Sequence, residues 1–404
     1  MSITFPADTR PKLRLFLQAN EDGEAIVIHD PRRIGRPVGV SRLGLEIAIR
    51  LDGTRTLEEV QADLLPLTGG ALVPLDLLQK LTVALDEAFL LDSPRFQALF
   101  DAPVRQPTHI PRNADPAEIG REIDRLFTAE GGPGLPAASP RREAGQRLRA
   151  VLLPHMDYRR GNITYGHGFK ELIEQTDARV FVIIATSHYS PHRFTLTRQH
   201  FDTPFGLVET DVAYVDRIAS AYGAGVFDDP AAHIPEHSIE LEVVPLKRLM
   251  GDRPFRIVPL LVGSFGDRID GRENPSRAAD IARMVSALRQ AEAACTEPIC
   301  YLISGDLAHI GPKFRDKQKA AGPWLDASKA KDQEILKTLE SADPGRYFDT
   351  IADEGDARRI CGLPPTWLTL EVARPRSGKV LHYQQYIDPT GHESVSFAAA
   401  AFYE

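Results

Sequence analysis

Five stretches of this chain carry residues able to hold a metal ion or move protons. The apolar run from Val151 stops at Pro154 and delivers His155, followed by Met156, Asp157 and Tyr158. The run from Val180 delivers His188, and the run from Ile299 delivers Asp306 and then His309. Glu236 and His237 stand just before a helical stretch, and Cys361 lies between Ile360 and Gly362 ahead of another. Neutral imidazole is the commonest protein ligand for transition metals, and carboxylate or thiolate completes such sites. A cysteine near a helix N-terminus has its pKa lowered, which favours ligation or nucleophilic use. Each residue also has a plain structural reading. The histidines fit hydrogen-bonded sheet-edge positions, Asp306 a turn cap, Glu236 a helix cap and Cys361 a small buried thiol.

These groups can meet only if their strands end on one edge, where open α/β sheets bind ligands. From residue 149 the apolar patterns alternate in that way. Strands are expected over 151–153, 179–186, 255–262 and 299–304. Helices are expected over 166–174, 212–222, 240–250, 278–293, 327–339 and 366–373. The uninterrupted apolar run at 180–185 is the kind buried on both faces. The tail, 382–387 and 394–403, reads as strands of an antiparallel type. The expectation is a three-layer α/β/α domain with a mixed sheet over 149–404.

Residues 1–96 have a different character. A β-branched run from Ala25 to His29 ends at Asp30-Pro31, and Ser41 caps a helical pattern with Leu45, Ile49 and Leu51 inward. Thr56 and Glu59 form a capping box, and Leu77, Leu78, Leu81, Leu85 and Phe89 recur at helical spacing. A small, mostly helical domain with a β-ribbon is expected. Between the domains, residues 97–148 hold a proline-rich linker, a lead-in helix capped by Asp115 with Pro116 in its first turn, and a glycine- and proline-rich loop over 131–140.

Composition excludes several classes. The 404 residues carry a net charge of −8, which disfavours a general nucleic-acid binder. Three cysteines give no disulfide framework, the first residues lack a secretory apolar core, and no apolar run is long enough to span a membrane. A cytoplasmic protein is expected. The glycines do not form a dinucleotide fingerprint, and no Gly-x-Ser-x-Gly occurs. Cys295, Cys300 and the remaining histidines, His109 among them, belong to no constellation in the sequence.

Seven motifs in one order carry a family resemblance: Pro-His-x-x-Tyr at 154–158, Ala-Thr-Ser-His-Tyr at 185–189, Thr-Pro-Phe-Gly at 203–206, Glu-His-Ser-Ile-Glu at 236–240, Val-Pro-Leu-Leu-Val-Gly at 258–263, Ser-Gly-Asp-Leu-Ala-His at 304–309 and Ile-Cys-Gly at 360–362. From about residue 105 onward the chain resembles the Memo family, also called AmmeMemoRadiSam system protein B. The resemblance implies a fold similar to LigB-type class III extradiol dioxygenases and a mononuclear iron site, with copper as the rival metal. It implies His155, His188 and Cys361 as ligands. Asp306 and His309 would line the pocket as catalytic groups, with Glu236, His237, Asp157 and Tyr158 nearby. The related dioxygenases use a carboxylate as third ligand, so Cys361 points to Memo. The chain departs from the usual Pro-His-Ala-Gly-Tyr: Met156 and Asp157 are bulkier, and Asp157 adds a charge beside the expected ligand. Residues 1–96 resemble the PqqD-like winged-helix family, which implies recognition of a peptide or protein; a generic packing or dimerisation module fits the same pattern.

The leading expectation is therefore a metal-dependent redox protein acting on a small molecule not identified by the sequence, its front domain recruiting a peptide or protein. A non-catalytic metal or peptide binder is the alternative. A hydrolase using metal-bound water is a third reading, disfavoured by Cys361, since hydrolytic zinc sites more often end in carboxylate or a third histidine.

Overall fold

In the computed structural model, which describes residues 5–22, 25–110, 114–137 and 146–404, the chain divides into two compact units, Met1–Pro103 and Val104–Glu404. Pro111 and the end of the 131–140 loop lie outside the described residues.

In the first unit, strands β1 (Gln18–Asp22), β2 (Ala25–His29) and β3 (Val38–Val40) pair antiparallel in that order. Four helices accompany them, α1 (Arg42–Ala48), α2 (Leu57–Asp63), α3 (Leu75–Glu87) and α4 (Pro94–Asp101). Ser41 caps α1, and Thr56 with Glu59 closes a full capping box on α2. The core gathers Ile28, Val40, Ile47, Leu57, Val60, Leu78 and Leu85. Helix α1 stops at Ala48, so it buries Gly44, Ile47 and Ala48 and leaves Ile49 exposed, against the longer helix and the inward Ile49 expected from its spacing. The unit runs on to Pro103 because Pro94–Asp101 folds as a helix behind a Ser93 cap.

The second unit contains β4 (Val104–Arg105), α5 (Pro116–Thr128), β5 (Leu148–Leu153), α6 (Tyr158–Gln175), β6 (Val180–Thr186), β7 (Phe194–Leu196), β8 (His200–Phe201), α7 (Val212–Tyr222), α8 (Glu240–Met250), β9 (Arg256–Val262), α9 (Gly266–Gly271), α10 (Ala279–Ala293), β10 (Ile299–Ser304), β11 (His309–Ile310), α11 (Gly322–Glu340), α12 (Pro344–Ala352), α13 (Leu363–Ala373), β12 (Ser377–Ile387) and β13 (Ser394–Tyr403). Strands β5, β10, β6 and β9 lie side by side and parallel. Antiparallel neighbours close this parallel block, β13 beside β5 and β7 beside β9, and β12 pairs with the far edge of β13.

Alternation along the strands sorts side chains into two cores, as period-two geometry requires. Leu152, Val182, Ile184, Leu260 and Ile303 face α7, α10, α12 and α13. Val151, Leu153, Phe181, Ile183 and Leu302 face α5, α6 and α8. The result is the mixed-sheet, three-layer α/β/α architecture expected. No helix among the described residues is long and apolar enough to cross a membrane.

Helix α6 begins at Tyr158, well before the helix start expected at residue 166. It kinks at Asn162, whose φ of 42° and ψ of −137° interrupt the helix. Gly166 is required by close packing, since a Cβ there would stand 2.0 Å from the Leu126 carbonyl oxygen. Three glycines and this kink broke the helical pattern in the sequence.

Candidate metal centre

Register brings the chemistry together. Leu153, Ser304 and Ala185 form one row across β5, β10 and β6. His155 and Asp306 each lie two residues beyond that row, and His188 three beyond, so all three emerge at the carboxyl edge where the middle strand was added last. That is the switch-point crevice of an open α/β sheet. Cys361 arrives from the opposite layer, in the turn that starts α13: Thr186 Oγ1 donates to its carbonyl (2.8 Å) and Gly362 N–H donates to the Asp306 carbonyl (2.8 Å).

Hydrogen bonds fix which nitrogen of each imidazole is free. Ser304 Oγ donates to the Ser238 carbonyl (2.6 Å), so it accepts from His155 Nδ1–H (3.3 Å) and leaves the lone pair on Nε2. His155 Nε2 lies 3.3 Å from Cys361 Sγ. His188 donates its backbone N–H (2.8 Å) and Nδ1–H (2.9 Å) to the two oxygens of Glu236, which again frees Nε2. A ligand histidine whose other nitrogen is held by a carboxylate or hydroxyl is the usual arrangement behind a bound metal. His155, His188 and Cys361 each offer a donor atom, all within 4.8 Å of one another. The residues present therefore fit a transition metal bound by two nitrogens and one sulfur.

Asp306 and His309 join the same cluster, forming a second metal-capable group with Cys361. Asp306 Oδ1 accepts the His155 backbone N–H (3.1 Å), and its own N–H donates to Cys361 Sγ (3.4 Å). His309 donates Nδ1–H to the Leu307 (3.0 Å) and Arg359 (3.1 Å) carbonyls, so its Nε2 too is free. Glu236, His188 and His237 make a third group, and the rings of His155, His188 and His237 stand about one ring-width apart, at centroid distances of 4.8–5.4 Å.

Burial sets the protonation states. His155 and Asp306 form a buried floor, while His188 and Cys361 reach the surface. Burial pushes the Asp306 carboxyl up to about 6, against the pull of His309 and the His155 N–H. Burial and the nearby His188 hold His155 well below the usual imidazole range. Burial also lowers His188, but the charge and hydrogen bond of Glu236 more than offset it, and its pKa is raised. His237 falls well below its ordinary value through burial and the neighbouring imidazoles. Burial and the Asp306 charge push the Cys361 thiol well up. This corrects the lowered thiol expected from the helix N-terminus: desolvation outweighs the helix dipole here, and a bound cation would be needed to reverse it.

Two pocket candidates lie elsewhere. Asp157 caps α6, accepting from Arg160 N–H (3.2 Å) and pairing with its guanidinium, with half its side chain exposed. Tyr158 is buried in the core, its hydroxyl donating to the Leu241 carbonyl (3.0 Å). Met156 packs on Val395 and Phe397. The departure from Ala-Gly is thus taken up by a cap and a core contact.

The sequence reading missed a supporting set. Ser304 and Ser238 join the strand ends to the loop carrying Glu236, with Ser238 Oγ donating to the Thr186 carbonyl (2.7 Å). His109, which belonged to no constellation in the sequence, has its ring 5.0 Å from that of His237. Arg105 and Glu240 form a buried ion pair (3.0 Å) behind the same loop. Glu242, fully buried near Ser304 and Asp306, has its pKa pushed well up by burial. Ser238, Glu240 and Ser304 lay inside the motifs without a role of their own, and Arg105, His109 and Glu242 offered no local pattern.

Residues 112–402 match the family profile described as Memo-like protein. A MEMO1 family protein of Aquifex aeolicus is 25% identical over 410 residues, covering 98% of this chain and 100% of the relative. A MEMO1 family protein of Thermus thermophilus is 25% identical over 337 residues, covering 82% of this chain and 94% of its own. The protein memo-1 homolog of Caenorhabditis elegans is 23% identical over 298 residues, covering 70% and 78%. The likeness to the Aquifex protein extends over the first unit as well.

Proposed function

The chain belongs to the Memo-like protein family, and on that premise we propose that its second unit is a metal-dependent redox protein, with one iron ion (copper as rival) held by His155, His188 and Cys361. The observation that carries this reading is the convergence of two free imidazole nitrogens and one sulfur within 4.8 Å. Iron or copper held there would supply one-electron and O2-linked oxidation chemistry. The thiol supports redox over hydrolysis, because hydrolytic zinc sites more often end in carboxylate or histidine.

The chain's own groups have distinct tasks. Asp306, with a carboxyl near 6, and His309, with a free Nε2, can hold and pass a proton at the floor of the crevice. Glu236 keeps His188 in the tautomer that offers Nε2. His188 is the most exposed of the three proposed ligands, so a small-molecule substrate would approach from its side. The first unit, in this reading, recruits a peptide or protein; its sequence resemblance to PqqD-like domains supports the assignment.

Anaerobic titration with iron(II) and copper(I) of wild type and of His155→Ala, His188→Ala and Cys361→Ala tests the ligand set. Undiminished binding in all three variants overturns it. Oxygen consumption by the loaded protein separates a redox enzyme from a binder that does not turn over. Capture of peptide or protein partners that is unchanged when residues 1–103 are deleted would remove the recruiting role.

A further inference from the structure

Behind the crevice, the first residues of the second unit are bound into the loop that holds the histidines. Arg105 is anchored by its backbone, since β4 pairs parallel with β8 and the Arg105 carbonyl accepts from Asp202 N–H (3.1 Å). Its guanidinium then donates to three carbonyls of one loop, His233 (2.6 Å), Ile234 (3.2 Å) and Glu236 (2.9 Å), and to Oε2 of Glu240 (3.0 Å), where that loop enters α8. Glu240 returns the connection. Its carboxylate accepts the backbone N–H groups of Thr108 (3.0 Å), His109 (2.9 Å) and Ile110 (2.8 Å). Both side chains are 2% exposed.

The loop so gripped contains Glu236, and Glu236 carries His188 on both of its oxygens. The same loop carries Ser238, whose carbonyl receives Ser304, which in turn orients His155. Both imidazoles therefore take their tautomer from residues 236–238, which are held on one side by the Thr186 carbonyl and on the other by Arg105, itself paired with Glu240. The clamp also sets His109 beside His237.

We propose that Arg105 and Glu240 are positioning residues of the metal centre, acting through the 233–240 loop on His188 and His155. The pair is placed for this task rather than for stability alone. A buried ion pair is weak evidence of net stabilisation, yet this one satisfies three carbonyls of the loop and three N–H groups of the 108–110 segment, and so ties the two together. Arginine is needed because one planar fork must reach several acceptors at once, which a lysine ammonium reproduces only in part. The inference rests on the metal-binding reading above.

Cobalt(II) alone is the probe, because its visible spectrum reports ligand geometry and sulfur donation independently of any turnover. The full-length wild type, Arg105→Lys, Arg105→Met and Glu240→Gln are titrated, with Arg149→Lys as a control at the opposite end of the sheet. Arg105→Met and Glu240→Gln are expected to bind about tenfold to a hundredfold more weakly, the usual loss for outer partners of a metal site, with displaced bands. Arg105→Lys should recover part of the affinity. Arg149→Lys should lower the melting temperature and leave the spectrum unchanged. If Arg105→Met does not fold, Glu240→Gln and Arg105→Lys decide. Wild-type affinity and spectrum in the folded clamp variants overturn the positioning role while leaving the metal reading intact. A wild type that binds no cobalt overturns both.

Discussion

The two ends of the same parallel sheet handle ionisable groups in opposite ways. At the amino ends of the strands, charges meet opposite charges. Arg149 pairs with Glu292, which also accepts from the Tyr301 hydroxyl (2.7 Å), and Arg256 reaches both Asp211 and Glu297. At the carboxyl ends one opposite pair, His188 with Glu236, stands among other imidazoles, and a buried carboxyl and a thiol are both pushed towards their neutral forms. The first arrangement neutralises its own charges. The second gathers lone pairs around a point and carries an electrostatic cost that a bound cation would relieve. One end is built for stability and the other for binding.

This contrast can be broken most sharply by removing a ligand. Cys361→Ala should lower metal affinity by more than about a hundredfold, beyond what loss of an outer partner produces, while the metal-free melting temperature stays level or rises. Isothermal titration and thermal unfolding check both halves. A large fall in metal-free stability would mean that the thiol serves the core.

At the amino end the effects should reverse. Arg149→Met leaves Glu292, half-buried and still bonded to the Tyr301 hydroxyl, without its charge partner and should cost about 1–2 kcal/mol of stability, read from urea unfolding, with metal binding unaltered. At the carboxyl end, Asp306→Asn should stabilise the metal-free protein. The carboxyl moves from an ordinary 3.8 to about 6 on folding, so the folded state holds its proton more tightly. The native protein therefore loses this contribution as pH rises through 6, and the variant, which has no proton to lose, gains by about 3 kcal/mol above pH 6 and by little near pH 4. A variant that is no more stable at pH 7 than at pH 4, relative to wild type, would show that Asp306 is not strained by burial.

Metal affinity should itself fall with pH. The raised pKa of His188 and of the Cys361 thiol means that protons must leave before these groups ligate, so affinity should drop about tenfold or more for each pH unit below 7. The smallest effect belongs to Asp157. Asp157→Ala removes a helix cap and should cost about 1 kcal/mol with no change in metal affinity; a change there would return Asp157 to the crevice.

How much of this was legible in the sequence depended on how far apart the partners lie. His155, His188 and Asp306 were readable because each follows an apolar run, and period-two burial makes such runs recognisable. Cys361 was readable from its place ahead of a helical stretch and from its motif. The clamp was not. Arg105 and Glu240 are 135 residues apart; Glu240 closes a motif, but nothing near it in the chain points to Arg105 as its partner. Ser304 looked like the last residue of a strand, and its contact with His155 needs the parallel register of β5 and β10. In the first unit, β1 escaped notice because Gln-Ala-Asn-Glu-Asp lacks apolar alternation and is a strand through its pairing with β2.

The claim that the carboxyl edge holds a metal through two imidazoles and a thiolate is met most directly by X-ray absorption on the loaded full-length protein. The account predicts one sulfur and at least two imidazole scatterers in the first shell, with the sulfur absent from the loaded Cys361→Ala variant. A first shell of oxygen and nitrogen alone in the wild type would contradict it.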